Sequence, residues 1–233
     1  MQMARSVQPL VHSHGKGQRE AILAEAAALF ATHGYHGASM SDLAQACHLS
    51  KATLYHHYRD KSEVLIHIAD GHVSQLVELC DSVDNDVTVA PRDRLAVLVE
   101  RFLTEYAQAQ NSHRVLTEDV RFLPPDDQER ILDKERHVVQ SFANAVAALR
   151  PDLAQQKLAK PMAMLLFGML NWMFTWLRPN GPLTHAAVTP LVLNLFFDGV
   201  RNMPAPPPAT KTARGAARTA PVAAKRAQRV RTA

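Results

Sequence analysis

Residues 49–65 read LSKATLYHHYRDKSEVL, a run in which lysine, tyrosine and histidine crowd into about two helical turns. Ser50 is placed to cap a short helix that runs to about Tyr58, and Asp60 to cap the next one. Within that short helix Lys51, Tyr55 and Tyr58 fall at i, i+4 and i+7, while Leu54 turns toward a small core with Phe30 and Leu43. Upstream, Ile22, Ala26, Leu29 and Phe30 give a helix from Gln18 one apolar face, and Gly34 ends it. Ser39 then reads as an N-cap with Asp42 as its reciprocal partner, opening a helix whose apolar face is Met40, Leu43 and Ala44. Cys47-His48-Leu49 makes a three-residue break. Two short capped helices so joined describe a helix-turn-helix, whose second helix lies in the DNA major groove. About eight residues at 1.5 Å each span roughly 12 Å, the width of that groove. Lys51, Tyr55 and His56 then reach bases or phosphates. Thr53 meets a phosphate or a thymine methyl, and His57 and Lys61 meet the passing backbone.

The rest of the chain carries the same period. Helices are expected over about 92–110, 113–122, 126–149, 159–177 and 184–201, with Pro151 stopping the third and Pro190 kinking the last. No segment shows strand alternation, so the expected class is all-α. Four parts are expected: a loose arm over 1–17, a helix-turn-helix domain over 18–65, a larger helical domain over 66–203, and a disordered tail over 204–233. The tail carries seven basic and no acidic residues, whereas residues 67–203 hold 13 basic and 17 acidic, so the overall charge of +4 comes from the tail. Cys47 and Cys80 are too few for a disulfide framework and fit a reducing cytoplasm. The apolar run 162–177 holds Gly168, Asn171 and Thr175 and falls short of a membrane span, so a cytoplasmic protein with no membrane partner is expected.

The segment GYHGASMSDLAQACHLSKATLYHHYRDKSEVL, residues 34–65, resembles the DNA-binding signature of the TetR family of bacterial transcriptional repressors. The likeness covers about 18–65. It implies an all-helical homodimer whose N-terminal helices bind a palindromic operator. The C-terminal domain would dimerise through its last two helices and hold a small-molecule effector. Lys51, Ala52, Tyr55, His56, His57 and Lys61 match the family's DNA-contacting positions, with Ser39 and Thr53 as secondary candidates. Ala38 stands where many members have threonine, which puts one phosphate contact in doubt.

Met162, Leu165, Leu166, Met169, Trp172, Met173 and Trp176 form an apolar stripe, and other apolar residues around it make this helix buried on most sides by expectation. Core and dimer interface account for most of these residues; part of the surface lines a ligand cavity, since methionine adapts to irregular shapes. Phe102, Tyr106, Phe167, Asn171 and Trp172 are the candidate ligand contacts. In the last helix Leu191, Leu195, Phe196 and Gly199 offer a second apolar face. Residues 168–184 are also similar to family members that sense acyl-CoA thioesters, which implies arginines for the CoA phosphates; Arg114, Arg121 and Arg178 are available. No catalytic set, metal-ligand spacing or phosphate loop is found, so no cofactor is expected. Two readings compete with a repressor: a largely sequence-independent, nucleoid-type DNA binder acting through its tail, and an enzyme with a helical active site.

Overall fold

In α1 (Gly15–Gly37) the helical path breaks at Gly34, whose φ of 72° and ψ of 156° strain any side chain with a Cβ. This is the stop that the sequence indicates. The computed structural model describes residues 15–178, 181–202 and 204. The expected N-terminal arm and basic tail therefore lie almost wholly outside the described residues.

After the turn, α2 (Met40–Ala46) opens on a full capping box: Ser39 Oγ accepts from the Asp42 amide at 3.2 Å, and the Asp42 carboxylate accepts from the Ser39 amide at 2.9 Å. Such a cap stabilises a helix by about 1 kcal/mol. His48, at φ 55°, reverses the chain before α3 (Lys51–His57), where Ser50 Oγ accepts from the Thr53 amide at 3.0 Å. In α4 (Lys61–Asp84) the Asp60 carboxylate accepts from the Glu63 amide at 2.8 Å. All three caps read from the sequence are present.

The remaining elements are α5 (Arg94–Gln108), α6 (Gln110–Asp119), a 3-10 turn Val120–Phe122, α7 (Pro125–Leu149), α8 (Pro151–Gln155), α9 (Ala159–Asn171), a 3-10 turn Met173–Thr175 and α10 (His185–Asn202). The α4 helix is continuous across the expected boundary at 65/66, packing on α1 at one end and on α6 and α7 along its length. The α9 helix packs on α7, and α10 on α5. One contiguous core runs from Ile22 to Val200. Its centre is three phenylalanines: Phe142 lies 4.8 Å from Phe102 and 4.7 Å from Phe167, centroid to centroid. Burying each such ring stabilises the fold by about 1.5–3 kcal/mol.

The long third helix stops at Leu149, before Pro151, as expected; Pro151 then opens the short α8, because proline lacks only an amide that a first turn leaves unpaired anyway. Two expectations need correction. The helix expected over 159–177 ends at Asn171 and tightens into a 3-10 turn. Nor is this segment buried on most sides: Met164, Leu165, Trp172 and Trp176 are all more than half exposed. Among the described residues no helix is long and apolar enough to cross a membrane.

Candidate nucleic-acid interface and effector cavity

The α3 helix divides its side chains sharply. Leu54 and Tyr58 are buried, which anchors the helix on α1, while Lys51, Ala52, Tyr55 and His56 are exposed on the opposite side. Tyr55 is 52% exposed, unusual for so large a ring and suited to a partner surface. Four of the candidate DNA contacts are thus brought to one free face. The others are tied into the fold. Ser39 is exposed, but its hydroxyl is held by Asp42 at 2.6 Å. Thr53 shares a 2.7 Å hydrogen bond with Ser50. His57 Nε2 lies 3.2 Å from Gln18 Oε1, and burial together with His56 and Arg19 lowers its pKa. Lys61 departs furthest from the expected phosphate contact. Its ammonium donates to the carbonyls of Tyr35 at 2.7 Å and Ala38 at 2.8 Å, and sits 4.4 Å from the Tyr35 ring centroid. It braces the α1–α2 turn and so acts on the position of α2 and α3. Tyr35 in turn stacks on Phe122 at 5.8 Å, joining this unit to the end of α6.

A second site lies inside the larger helical unit. A cavity of about 160 Å³ is walled by Tyr106, His113, Thr117, Glu135, Phe167 and Asn171, among others. Tyr106 donates from its hydroxyl to Asn171 Oδ1 at 3.0 Å. Of the candidate ligand contacts, Tyr106, Phe167 and Asn171 line the cavity. Phe102 does not; it is fully buried behind the wall, in edge contact with Phe142. Trp172 also does not, because the helix ends at Asn171 and the indole, 63% exposed, faces a separate groove beside residues 33–37.

His72 and His113 were not legible as a pair from the sequence, being 41 residues apart on helices with no shared motif. Their rings meet at 3.4 Å between His72 Nε2 and His113 Nδ1, and His113 stacks on Tyr106 at 3.6 Å. Burial pulls His72 down to about 4; burial and then the neighbouring His72 pull His113 down to about 3. Both rings are therefore neutral in the fold at neutral pH. Between pH ~6.5 and ~4 the unfolded chain binds protons that the folded one refuses, so stability is complete above that window and falls as pH drops through it. At about 1.36 kcal/mol per pKa unit, each ring is worth roughly 3 kcal/mol across it. Glu135 and Asp119, whose pKa values burial raises, act in the opposite direction. The melting temperature is expected to climb from pH 4.5 to pH 7, and the doubly substituted His72→Gln, His113→Gln chain to show a flatter profile. An unchanged profile would refute this assignment.

With both sites described, known proteins can be compared. Residues 22–68 match the bacterial regulatory proteins of the tetR family, and residues 88–200 match a tetracyclin repressor-like C-terminal domain. A TetR-family transcriptional regulator from Bordetella parapertussis 12822 superimposes with a TM-score of 0.73 at 35% identity, over 79% of this chain and 96% of that one. The chain belongs to the TetR family. The HTH-type transcriptional repressor KstR2 of Mycobacterium tuberculosis is 26% identical over 78% of this chain and 92% of its own. Apo AibR is similar at 25% identity and a TM-score of 0.64, over 76% of this chain and 97% of that one. AibR has also been solved in complex with isovaleryl coenzyme A and operator DNA. KstR2 and the Bordetella protein are both named as transcriptional regulators.

The α3 helix lies within the segment that matches the tetR family, and most of the residues lining the cavity among α4, α5, α6, α7 and α9 lie within the matched C-terminal domain. The arginines singled out for CoA phosphates lie outside that cavity. Arg114 pairs with Glu118 at 2.8 Å, Arg121 lies over the Phe122 ring at 4.8 Å, and Arg178 is exposed.

Proposed function

We propose that this chain is a homodimeric repressor. It binds a palindromic operator through α3 and releases it when an acyl-CoA thioester occupies the C-terminal cavity. In this reading residues 18–65 bind DNA and 66–203 bind effector and partner. The observation that carries it is the division of α3: Lys51, Ala52, Tyr55 and His56 free on one side, Leu54 and Tyr58 locked on the other.

The dimer rests on where apolar surface is left uncovered. Among the described residues, seven of the nine exposed large apolar side chains lie between Met164 and Leu195. That concentration on α9, α10 and the link between them suits a second copy. A two-fold dimer then presents two α3 helices to half-sites about 34–36 Å apart or slightly more. Release has a physical route. The α6 helix carries His113 and Thr117 on the cavity wall and leads directly into Val120–Phe122, where Phe122 stacks on Tyr35 in the brace held by Lys61. Displacement of α6 by a ligand would move that brace, and with it α3. The expected coupling is about 1–3 kcal/mol, a 5- to 150-fold loss of operator affinity. Titrating a CoA thioester into the operator complex and following DNA affinity tests this; an operator affinity indifferent to every CoA thioester removes the assigned effector.

The seven basic residues of 204–233 support a second reading, largely sequence-independent DNA binding. If half of them engage phosphates, deleting residues 204–233 flattens the log–log salt dependence by roughly 3 per chain, at about 0.9 per phosphate. Superimposable slopes for the full and shortened chains remove the tail from binding.

A further inference from the structure

We infer that the cavity takes a short acyl or aryl group bearing an uncharged hydrogen-bonding end, which His113 and Asn171 receive while Glu135 excludes carboxylates. The inference rests on the effector reading above and narrows it.

Size comes first. A cavity of about 150 Å³ holds a benzene ring, so about 160 Å³ accommodates a handful of heavy atoms, not a fused-ring system or a long fatty chain. Met164 lines the cavity and is 53% exposed, so it marks the mouth through which the remainder of a larger ligand would leave. Charge comes second. Among the described residues no lysine or arginine lines the cavity to compensate an anion. Glu135 lines it instead, and among the described residues no group hydrogen-bonds or ion-pairs with its carboxyl. Burial raises the Glu135 pKa; burial foremost, then the charges of Cys80 and Glu135, push Tyr106 upward. A ligand carboxylate would meet this carboxyl in a site where charges are poorly screened.

Hydrogen bonding comes third. His113 lines the cavity, and its Nε2 is buried without a partner among the described residues. An unpaired polar atom on a residue of the wall calls for one. In the tautomer where His72 Nε2 donates to His113 Nδ1, His113 Nε2 carries the proton and is a donor still to be satisfied. Asn171 has its carbonyl oxygen occupied by the Tyr106 hydroxyl, which leaves its NH2 to donate. Two donors and no cation suit the carbonyl oxygen of a thioester. A carboxylate offers the same oxygen but brings the charge that Glu135 opposes.

The test is calorimetry on the full chain without DNA, with isovaleryl-CoA, isovalerate, isopentylamine, palmitoyl-CoA and CoA alone. Isovaleryl-CoA is expected to bind at least tenfold more tightly than isovalerate, palmitoyl-CoA or CoA. Glu135→Gln is expected to narrow the gap between thioester and acid by about tenfold, through gained affinity for the acid. The inference is overturned if isovalerate binds the unmodified chain as well as the thioester does, or if palmitoyl-CoA matches isovaleryl-CoA. It is equally overturned if only the amine binds, which would make Glu135 a cation partner. A free acid that matches the thioester in calorimetry and also releases operator in a parallel DNA-binding titration would overturn it while leaving a ligand-responsive repressor intact. Silence from the whole panel would remove the thioester assignment as well.

Discussion

Leu195→Glu is expected to convert the proposed dimer into a monomer and to abolish binding to a full operator at the same concentration. Leu195 is 69% exposed in the protomer, and Leu191, one turn earlier, is 60% exposed, so the pair offers the partner a ridge that the chain's own core does not use. A stable interface buries about 800 Å² per partner and is least tolerant of charge at its centre. In a two-fold dimer one substitution enters twice, so two carboxylates would be desolvated in each dimer, at several kcal/mol apiece. Because Leu195 is outside the protomer core, the helical spectrum should survive. Phe196 would not make this test: it is 7% exposed, and a charge there would damage the protomer itself. Sedimentation at several concentrations reads the outcome, and a Leu195→Glu chain that stays dimeric and occupies the full site would place the interface elsewhere.

The second large effect belongs to α3. Lys51→Ala and Tyr55→Ala are each expected to weaken operator binding by about 1–3 kcal/mol. The two residues lie one turn apart on the same exposed face, so the double substitution need not equal the sum. Neither side chain supports the core, and the thermal stability should move by no more than ~0.5 kcal/mol. Salt dependence separates their roles. Loss of a Lys51–phosphate contact flattens the log–log slope by about 0.9, whereas loss of a base contact by Tyr55 leaves the slope and relaxes sequence preference. Parental affinity in both variants would mean that another surface meets the DNA.

What could be read in the sequence follows from how local each signal is. Ser39, Ser50 and Asp60 announced their helices because a cap is decided within three or four residues, and all three bond as expected. Gly34 was legible because its conformation excludes other residues. Lys61 was read as a phosphate contact because it sits at the far end of the groove helix, where the DNA backbone passes, and matches a DNA-contacting position of the family. Its two carbonyl partners lie 26 and 23 residues upstream, and no local pattern reveals them. The cavity was half legible. Tyr106, Phe167 and Asn171 line it, yet Glu135, His72 and His113 acquire their environment only when α4, α6 and α7 pack together. The apolar stripe from Met162 to Trp176 misled for a different reason. An apolar surface looks the same in sequence whether its own chain or a second copy covers it. Trp172 and Trp176, exposed in the protomer, carry that ambiguity.

The most direct test of the central claim, that paired α3 helices read a palindrome, needs no knowledge of the regulated genes. The full chain is used to select from random double-stranded DNA at near-physiological salt, and the bound pool is sequenced. The account predicts one enriched motif of two inverted half-sites, centred 10–10.5 base pairs apart or slightly more, that disappears from the pool selected by the Lys51→Ala, Tyr55→Ala chain. A bound pool with no enriched motif, or an enriched motif unchanged by those substitutions, would contradict it.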